Sequence, residues 1–120
     1  MDKHDLQRRT KEFALRILKL TDALPRTVAG RAIANQLTRS AMSVGANYGA
    51  ACRARSRIEF AAKLGTVLEE ADESLYWLEI IRDAKLIPET KLSLLLKEAD
   101  EITAIVAAGR KSVKEKHLTS

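Results

Sequence analysis

Apolar residues recur in alternating steps of four and three through the third quarter of the chain. Steps of this size place the side chains on one face of an α-helix, in a seam like that of a heptad repeat. The seam consists of Phe60, Leu64, Val67, Ala71, Ser74, Leu78 and Ile81. Further apolar residues widen this face beyond what one neighbouring helix can cover, namely Leu68, Leu75, Trp77 and Ile80. The pattern predicts a helix over about 57–86 that is buried on two sides, within the chain and against another subunit.

Three other segments carry one-sided apolar patterns of the same period. Pro25 and Pro88 mark two of the breaks, because proline disfavours helix in the residue before it and fits the first turn of the next helix. Helices are therefore predicted over about 5–23, 26–53 and 88–115, and the polar tail "KSVKEKHLTS" is expected to fray. No segment shows the alternation of a strand. The sequence predicts one all-α domain over residues 1–120, an up-down-up-down four-helix bundle.

The second predicted helix carries small residues at every fourth position, at Ala41, Gly45 and Gly49. Small side chains on one ridge let another helix approach closely. A glycine inside a helix costs about 1 kcal/mol relative to alanine, so a close contact between helices or subunits is expected to offset that cost. The predicted packing and oligomer residues are Ala41, Gly45, Gly49 and Tyr48 on this helix, and Leu75, Trp77 and Ile80 on the third.

The composition excludes several classes of protein. Hydrophobic residues make up 46% of the chain and charged residues 31%, as in an ordinary soluble domain. The single cysteine, Cys52, cannot form an internal disulfide, and we interpret it as a packing residue rather than a nucleophile. No apolar run is long enough for a membrane span or a signal-peptide core. A cytoplasmic location without membrane association is therefore expected.

The sequence does not predict an enzyme. Its only histidines, His4 and His117, lie near the two ends of the chain. Glu69 and Glu73 are one helical turn apart, but a metal pair held by carboxylates in a bundle also requires Glu-x-x-His pairs on facing helices. A phosphate-binding glycine loop and a nucleophile–histidine–acid set are both missing. We predict a non-enzymatic protein without a metal or cofactor.

The net charge of +5 is distributed unevenly along the chain. Residues 1–60 contain 12 Lys and Arg against 5 Asp and Glu, whereas residues 61–120 contain 9 against 11. A basic half and a slightly acidic half predict either a polyanionic partner or charge-matched association between copies.

The stretch "NYGAACRARSRIEF" contains the corner between the second and third predicted helices. Ser56 and Glu59 have capping-box spacing, in which the hydroxyl accepts from the Glu59 backbone N–H and the carboxylate accepts from the Ser56 backbone N–H. Arg53, Arg55 and Arg57 cluster at this helix N-terminus, where an anion is favoured and guanidinium groups suit phosphate. The three arginines are predicted either to contact phosphate or nucleic acid, or to be solvated or paired with acidic residues of a neighbouring chain. Further candidates for the anion contact are Arg8, Arg9, Arg16, Arg31 and Arg39.

Four motifs stand out within residues 36–87: "RS" at 39–40, "SVGANY" at 43–48, "S-x-x-E-F" at 56–60 and "KLGTVLEEADESLYWLE" at 63–79. Together they resemble the four-helix-bundle family named for the 23S ribosomal RNA intervening-sequence protein. One departure is Ala50, because family members often have an acidic residue there. The resemblance implies a left-handed bundle that assembles into a homopentamer. Related basic proteins serve as accessory subunits of the reverse transcriptases of diversity-generating retroelements, so RNA, DNA, a reverse transcriptase or another protein is an expected partner.

Two functions therefore remain open from the sequence. The first is a non-enzymatic, pentameric nucleic-acid-binding or ribonucleoprotein accessory module that acts through its surface arginines. The alternative is a structural or protein-interaction scaffold with no nucleic-acid role. The absence of an aromatic RNA platform or a DNA-reading motif predicts that any nucleic-acid binding tolerates different sequences.

Overall fold

A computed structural model describes the backbone of residues 2–119 and the side chains of residues 2–116. Its four helices are α1 (Lys3–Thr21), α2 (Val28–Cys52), α3 (Arg57–Asp83) and α4 (Glu89–Thr119). Three helices begin behind a side-chain cap, because Asp2, Thr27 and Ser56 each accept a hydrogen bond from the backbone N–H three residues later. No strand occurs in this part of the chain, so the prediction of an all-α fold is confirmed.

The ends of the helices differ slightly from those predicted. Helix α1 begins two residues early because Asp2 caps it. Helix α3 ends at Asp83, before the predicted 86, since Lys85 adopts a left-handed φ of 57° and Leu86 N–H donates to the Ile81 carbonyl at 3.0 Å. Helix α4 continues to Thr119 through the polar tail, where the sequence predicts fraying. The packing of α4 on α3, rather than this extension, places Arg110 and Lys114 beside the start of α3.

The helices pack in chain order around one core. Each helix contacts the next, and α4 closes the bundle against α1 through a thinner seam. Diagonal pairs of helices do not approach each other, so the topology is the predicted up-down-up-down bundle. The molecule measures 52 × 21 × 20 Å. None of the helices described here combines the length and the apolar character needed to cross a bilayer.

The predicted heptad seam of α3 forms its side of the core. Six of its seven residues are buried, and Phe60 at the start is half-buried. Three buried positions are polar, Thr10, Ser40 and Ser74. Two of them join α2 to α3, since Ser74 donates to Ser40 Oγ at 2.9 Å and Ser40 donates to the Leu37 carbonyl at 3.2 Å. This pair holds α2 against α3 without an unpaired hydroxyl in the core.

The small-residue ridge of α2 packs differently along its length. Ala41 is fully buried, and a Cβ added to Gly45 would meet Thr10 Oγ1 of α1 at 3.4 Å. The close helix contact predicted for Gly45 is therefore present. A Cβ at Gly49 would meet only the Arg53 guanidinium, at 3.5 Å, so no other helix of the described chain approaches this glycine. The closest approach in α2 is at Gly30, where an added Cβ would lie 2.0 Å from the Pro25 carbonyl oxygen.

Candidate nucleic-acid interface

The corner between α2 and α3 is fixed by two hydrogen bonds. Ser56 Oγ accepts from the Glu59 backbone N–H at 3.1 Å, as the capping box predicts. The carboxylate does not return to Ser56, however; Glu59 Oε2 accepts from the Arg55 backbone N–H at 3.2 Å instead. This shift by one residue ties the backbone of the connection to the first turn of α3.

Arg53, Arg55 and Arg57 are exposed at this corner. The Arg53 side chain folds back towards Gly49, while Arg57 is the first residue of α3. Among the residues that the structure describes, no carboxylate forms an ion pair with any of the three. Their positive charges are therefore available to a partner.

The C-terminal part of α4 lies against the start of α3 and adds three cations to this end of the bundle, Arg110, Lys111 and Lys114. One surface groove is lined by Arg55, Arg57 and Phe60 with Val113 and Lys116 of α4. A second groove joins Arg57 to Arg110 and Lys114. We call the set of Arg53, Arg55, Arg57, Arg110, Lys111 and Lys114 the basic end. Within the described residues, none of these six forms an ion pair with a carboxylate.

The contribution of α4 to this surface is not among the predictions from the sequence. The signal is the run "RKSVKEK" at 110–116, most of which belongs to the segment that the sequence presents as a polar tail. This run is far from the corner in sequence, but the antiparallel packing of α4 on α3 places it beside Arg55 and Arg57.

Two of the arginines predicted to contact an anion form ion pairs with glutamates of the same chain. Arg9 of α1 is only 19% exposed; its Nε donates to Glu98 Oε2 at 3.0 Å, and its Nη2 lies 2.9 Å from Glu101 Oε2. Arg39 of α2 binds two glutamates of α3, Glu70 at 3.1 Å and Glu73. These arginines pair the basic half of the chain with its acidic half. The charge asymmetry is thus partly compensated inside one molecule.

Each of these two ion-pair clusters involves a further side chain, Arg16 beside Glu98 and Trp77 beside Glu73. Hydrogen bonds from Arg9 hold the pKa of Glu98 below its ordinary value, and the positive charge of Arg16 acts in the same direction. Glu73 also accepts from Trp77 Nε1 at 3.3 Å, so the Arg39 cluster includes the only tryptophan of the chain.

The remaining candidate arginines are Arg8, Arg16 and Arg31, on α1 and the start of α2. Arg8 pairs with Asp5 and Glu12 of its own helix, at 3.8 and 3.4 Å. Arg16 is exposed along α1. Arg31 lies in the first turn of α2, at the opposite end of the bundle. None of these three arginines lines the grooves between the start of α3 and the end of α4.

The other residues singled out from the sequence serve the core. Cys52 is half-buried and packs against it. Burial raises the pKa of Tyr48 to about 12, with a smaller contribution from the neighbouring Cys52, so the phenol stays protonated at neutral pH. The described residues contain no group of three or more His, Cys, Asp or Glu side chains arranged to hold a metal ion.

The apolar residues predicted for oligomer contact are half-buried rather than exposed. Leu75, Trp77 and Ile80 pack partly against the core, and the exposed Tyr76 stacks edge-on against Trp77 at 5.1 Å. Larger apolar exposure occurs between α1 and α2. A groove there is lined by Lys11, Ala14, Leu15, Leu18, Met42, Gly45 and Ala46.

The fold and the basic end define a four-helix bundle with a concentrated cationic surface at one end. The chain belongs to the 23S rRNA-intervening sequence protein family, whose family model matches residues 2–108. It is similar to the crystal structure of a protein of unknown function from the S23 ribosomal protein family of Bacteroides thetaiotaomicron. The two share 31% sequence identity and a TM-score of 0.82, over 88% of this chain and 98% of the other. A comparison with curated proteins returned no match.

Proposed function

We propose that this protein is a non-enzymatic, homopentameric accessory protein that binds nucleic acid through its basic end. The observation that carries the proposal is the cluster of six cations without carboxylate partners in the described residues, where α3 starts and α4 ends. Elsewhere on the bundle, Arg9 and Arg39 are paired with glutamates from a neighbouring helix. Unpaired guanidinium groups at a helix N-terminus suit phosphate oxygens in both charge and geometry.

Assembly strengthens such a surface. A single copy offers a modest number of phosphate contacts, and repeating them in a ring converts weak binding into useful avidity. The family resemblance implies the pentamer, and the exposed apolar groove with Leu15, Leu18 and Met42 between α1 and α2 supports a contact between subunits. Native mass spectrometry is expected to give a pentamer, and a monomer at all concentrations would contradict this part of the proposal.

Nucleic-acid binding is tested by titrating a fluorescent single-stranded RNA at two salt concentrations. Because phosphate neutralisation releases counterions, the affinity is expected to fall steeply as salt rises. The variant Arg53→Glu/Arg55→Glu/Arg57→Glu is expected to bind at least about 100-fold more weakly at low salt, since three contacts become repulsive.

The far end of the bundle offers a matched control. Arg26, Lys85 and Lys91 are exposed there, and replacing all three by glutamate makes the same change in net charge. This control is expected to retain most of the affinity. Equal losses in the two variants would show that only net charge matters, and the absence of binding by the wild-type protein at low salt would refute the nucleic-acid role.

The alternative, a scaffold that acts only through protein contacts, is favoured by the apolar groove between α1 and α2. It predicts the pentamer but no RNA binding at any salt concentration. The two measurements together therefore separate the alternatives.

A further inference from the structure

The groove between the start of α3 and the end of α4 combines an apolar floor with a cationic rim. Ile58, Ala61, Ala62 and Val113 form the floor, and Arg57, Arg110 and Lys114 form the rim. Its volume is about 300 Å³, at the lower end of the range of small-ligand clefts. Ile58 is 62% exposed, so the floor is open to solvent and not covered by α1. We call this feature the α3–α4 groove.

Arg110 has an unusual position in this groove. Its guanidinium packs closely against Gly65, since Nε, Cζ and Nη2 lie 3.1, 3.4 and 3.4 Å from where a Cβ added to this glycine would stand. The Nε atom is buried and has no hydrogen-bond partner among the described residues. Buried polar atoms of this kind call for an explanation, because most are satisfied in folded proteins. The guanidinium thus rests beside α3 at Gly65, and Arg110 also lines the groove.

The start of α3 adds backbone donors at the same place. Ser56 caps the N–H of Glu59, which leaves the N–H groups of Arg57 and Ile58 pointing out of the helix start. These groups and the helix dipole favour an anion beside the rim cations. The groove thus offers a phosphate position next to an apolar and planar surface.

We propose that the α3–α4 groove holds one unpaired nucleotide of a single strand, with its base against Arg110 and the apolar floor and its phosphate at Arg57 and Lys114. This inference rests on the proposed nucleic-acid function and names its substrate class. In a duplex the bases are stacked and paired, so only the phosphates can reach this surface. In single strands an exposed base can stack on an arginine plane and on apolar side chains.

The test compares three probes of roughly ten nucleotides, a single-stranded RNA, an abasic strand with the same phosphates, and a duplex. The wild-type protein is expected to bind the base-containing strand about tenfold more tightly than the abasic strand, because the abasic strand has no base to stack. Ala62→Leu fills the groove from an exposed position and is expected to abolish this preference, because it weakens binding of the base-containing strand much more than binding of the abasic strand.

Arg110→Lys separates the planar group from its charge. Lysine keeps the positive charge but lacks the guanidinium plane, so the variant is expected to lose several-fold affinity for the base-containing strand and little for the duplex. Circular dichroism melting checks that both variants keep the fold.

The outcomes distinguish this inference from the function on which it rests. If no probe binds at low salt, both the nucleic-acid function and the groove assignment are wrong. If all probes bind through the corner arginines with equal affinity, and Ala62→Leu has no effect, only the groove assignment is overturned. If an amphipathic glutamate-rich peptide binds the wild type but not Ala62→Leu, while RNA binding is unchanged, the groove belongs to an acidic protein segment and the inference is wrong.

Discussion

The middle of the bundle and its basic end use arginine in opposite ways. In the middle, Arg9 and Arg39 cross to the glutamates of a neighbouring helix and are neutralised inside the chain. At the basic end, Arg55, Arg57 and Arg110 have no such partner among the described residues. The same residue type therefore holds helices together in one region and offers charge to a partner in the other. Exposure alone does not distinguish the two roles, since Arg39 is 49% exposed.

The largest expected effect concerns the salt dependence of RNA binding. Replacing Arg55, Arg57 and Lys114 by alanine removes cations that neutralise phosphates, so the slope of log K against log salt is expected to fall by about 0.7 for each phosphate of a single strand that is no longer neutralised. Replacing Arg9 by alanine is expected to leave the slope unchanged, because Glu98 and Glu101 already neutralise it. An equal fall of the slope in both variants would contradict the claim that phosphates contact the basic end and not Arg9.

Arg9→Met tests the stabilising role of the paired region. The variant leaves Glu98 half-buried without its partner and is expected to lose about 1–2 kcal/mol of unfolding free energy. Arg57→Met at the basic end is the comparison and is expected to change stability little, since Arg57 forms no ion pair with a described carboxylate. Urea denaturation measures both. Equal destabilisation of the two variants would show that the pairing with α4 contributes nothing specific.

The dependence of the unfolding free energy on acidic pH also tests the Arg9–Glu98 pair. Since the folded-state pKa of Glu98 lies below its ordinary value of 4.5, its contribution is present above that pH and is lost as the pH falls through the lowered value. The difference in unfolding free energy between the wild type and Glu98→Gln is therefore expected to be greatest near neutral pH and to shrink below 4.5. A difference that is constant from pH 7 to acid would contradict the assignment.

Arg39→Met is expected to have a smaller effect on stability than Arg9→Met, because its ion pairs are more exposed and screened by solvent. Removal of Arg39 also frees Glu73, which accepts from Trp77 Nε1. Fluorescence of this single tryptophan reports the rearrangement directly. Identical emission spectra in the variant and the wild type would show that Trp77 is not coupled to this pair.

Gly65→Ala is the smallest and most local change. The added methyl group would lie 3.1 Å from Arg110 Nε, so the guanidinium has to shift by a few tenths of an ångström. Stability is expected to stay within about 0.5 kcal/mol, since the better helix propensity of alanine offsets the tighter contact. Affinity for single-stranded RNA is expected to fall a few-fold while duplex binding is kept. Unchanged affinity for both would count against a role for the Arg110 plane.

Much of the fold could be predicted because it depends on local periodicity. The heptad seam of α3 and the cap at Ser56 are set by residues within a few positions of one another. The pairing of Arg9 with Glu98 joins residues 89 positions apart, and no spacing rule reports such a contact. It depends on which helices become neighbours and at what level along the bundle.

The candidate site could be predicted only in part for the same reason. The corner arginines follow from the predicted helix start, but Arg110 and Lys114 join them through the antiparallel packing of α4 on α3. The carboxylate of Glu59 accepts from the Arg55 N–H rather than that of Ser56, a choice of local geometry that the capping-box spacing does not fix.

Cross-linking of bound single-stranded RNA, followed by mass spectrometry of the peptides, tests the central claim most directly. Cross-links are expected within residues 53–62 and 107–116, where the basic end and the α3–α4 groove lie. Cross-links concentrated around Arg9 and Arg39, or at the far end near Arg26 and Arg31, would contradict it.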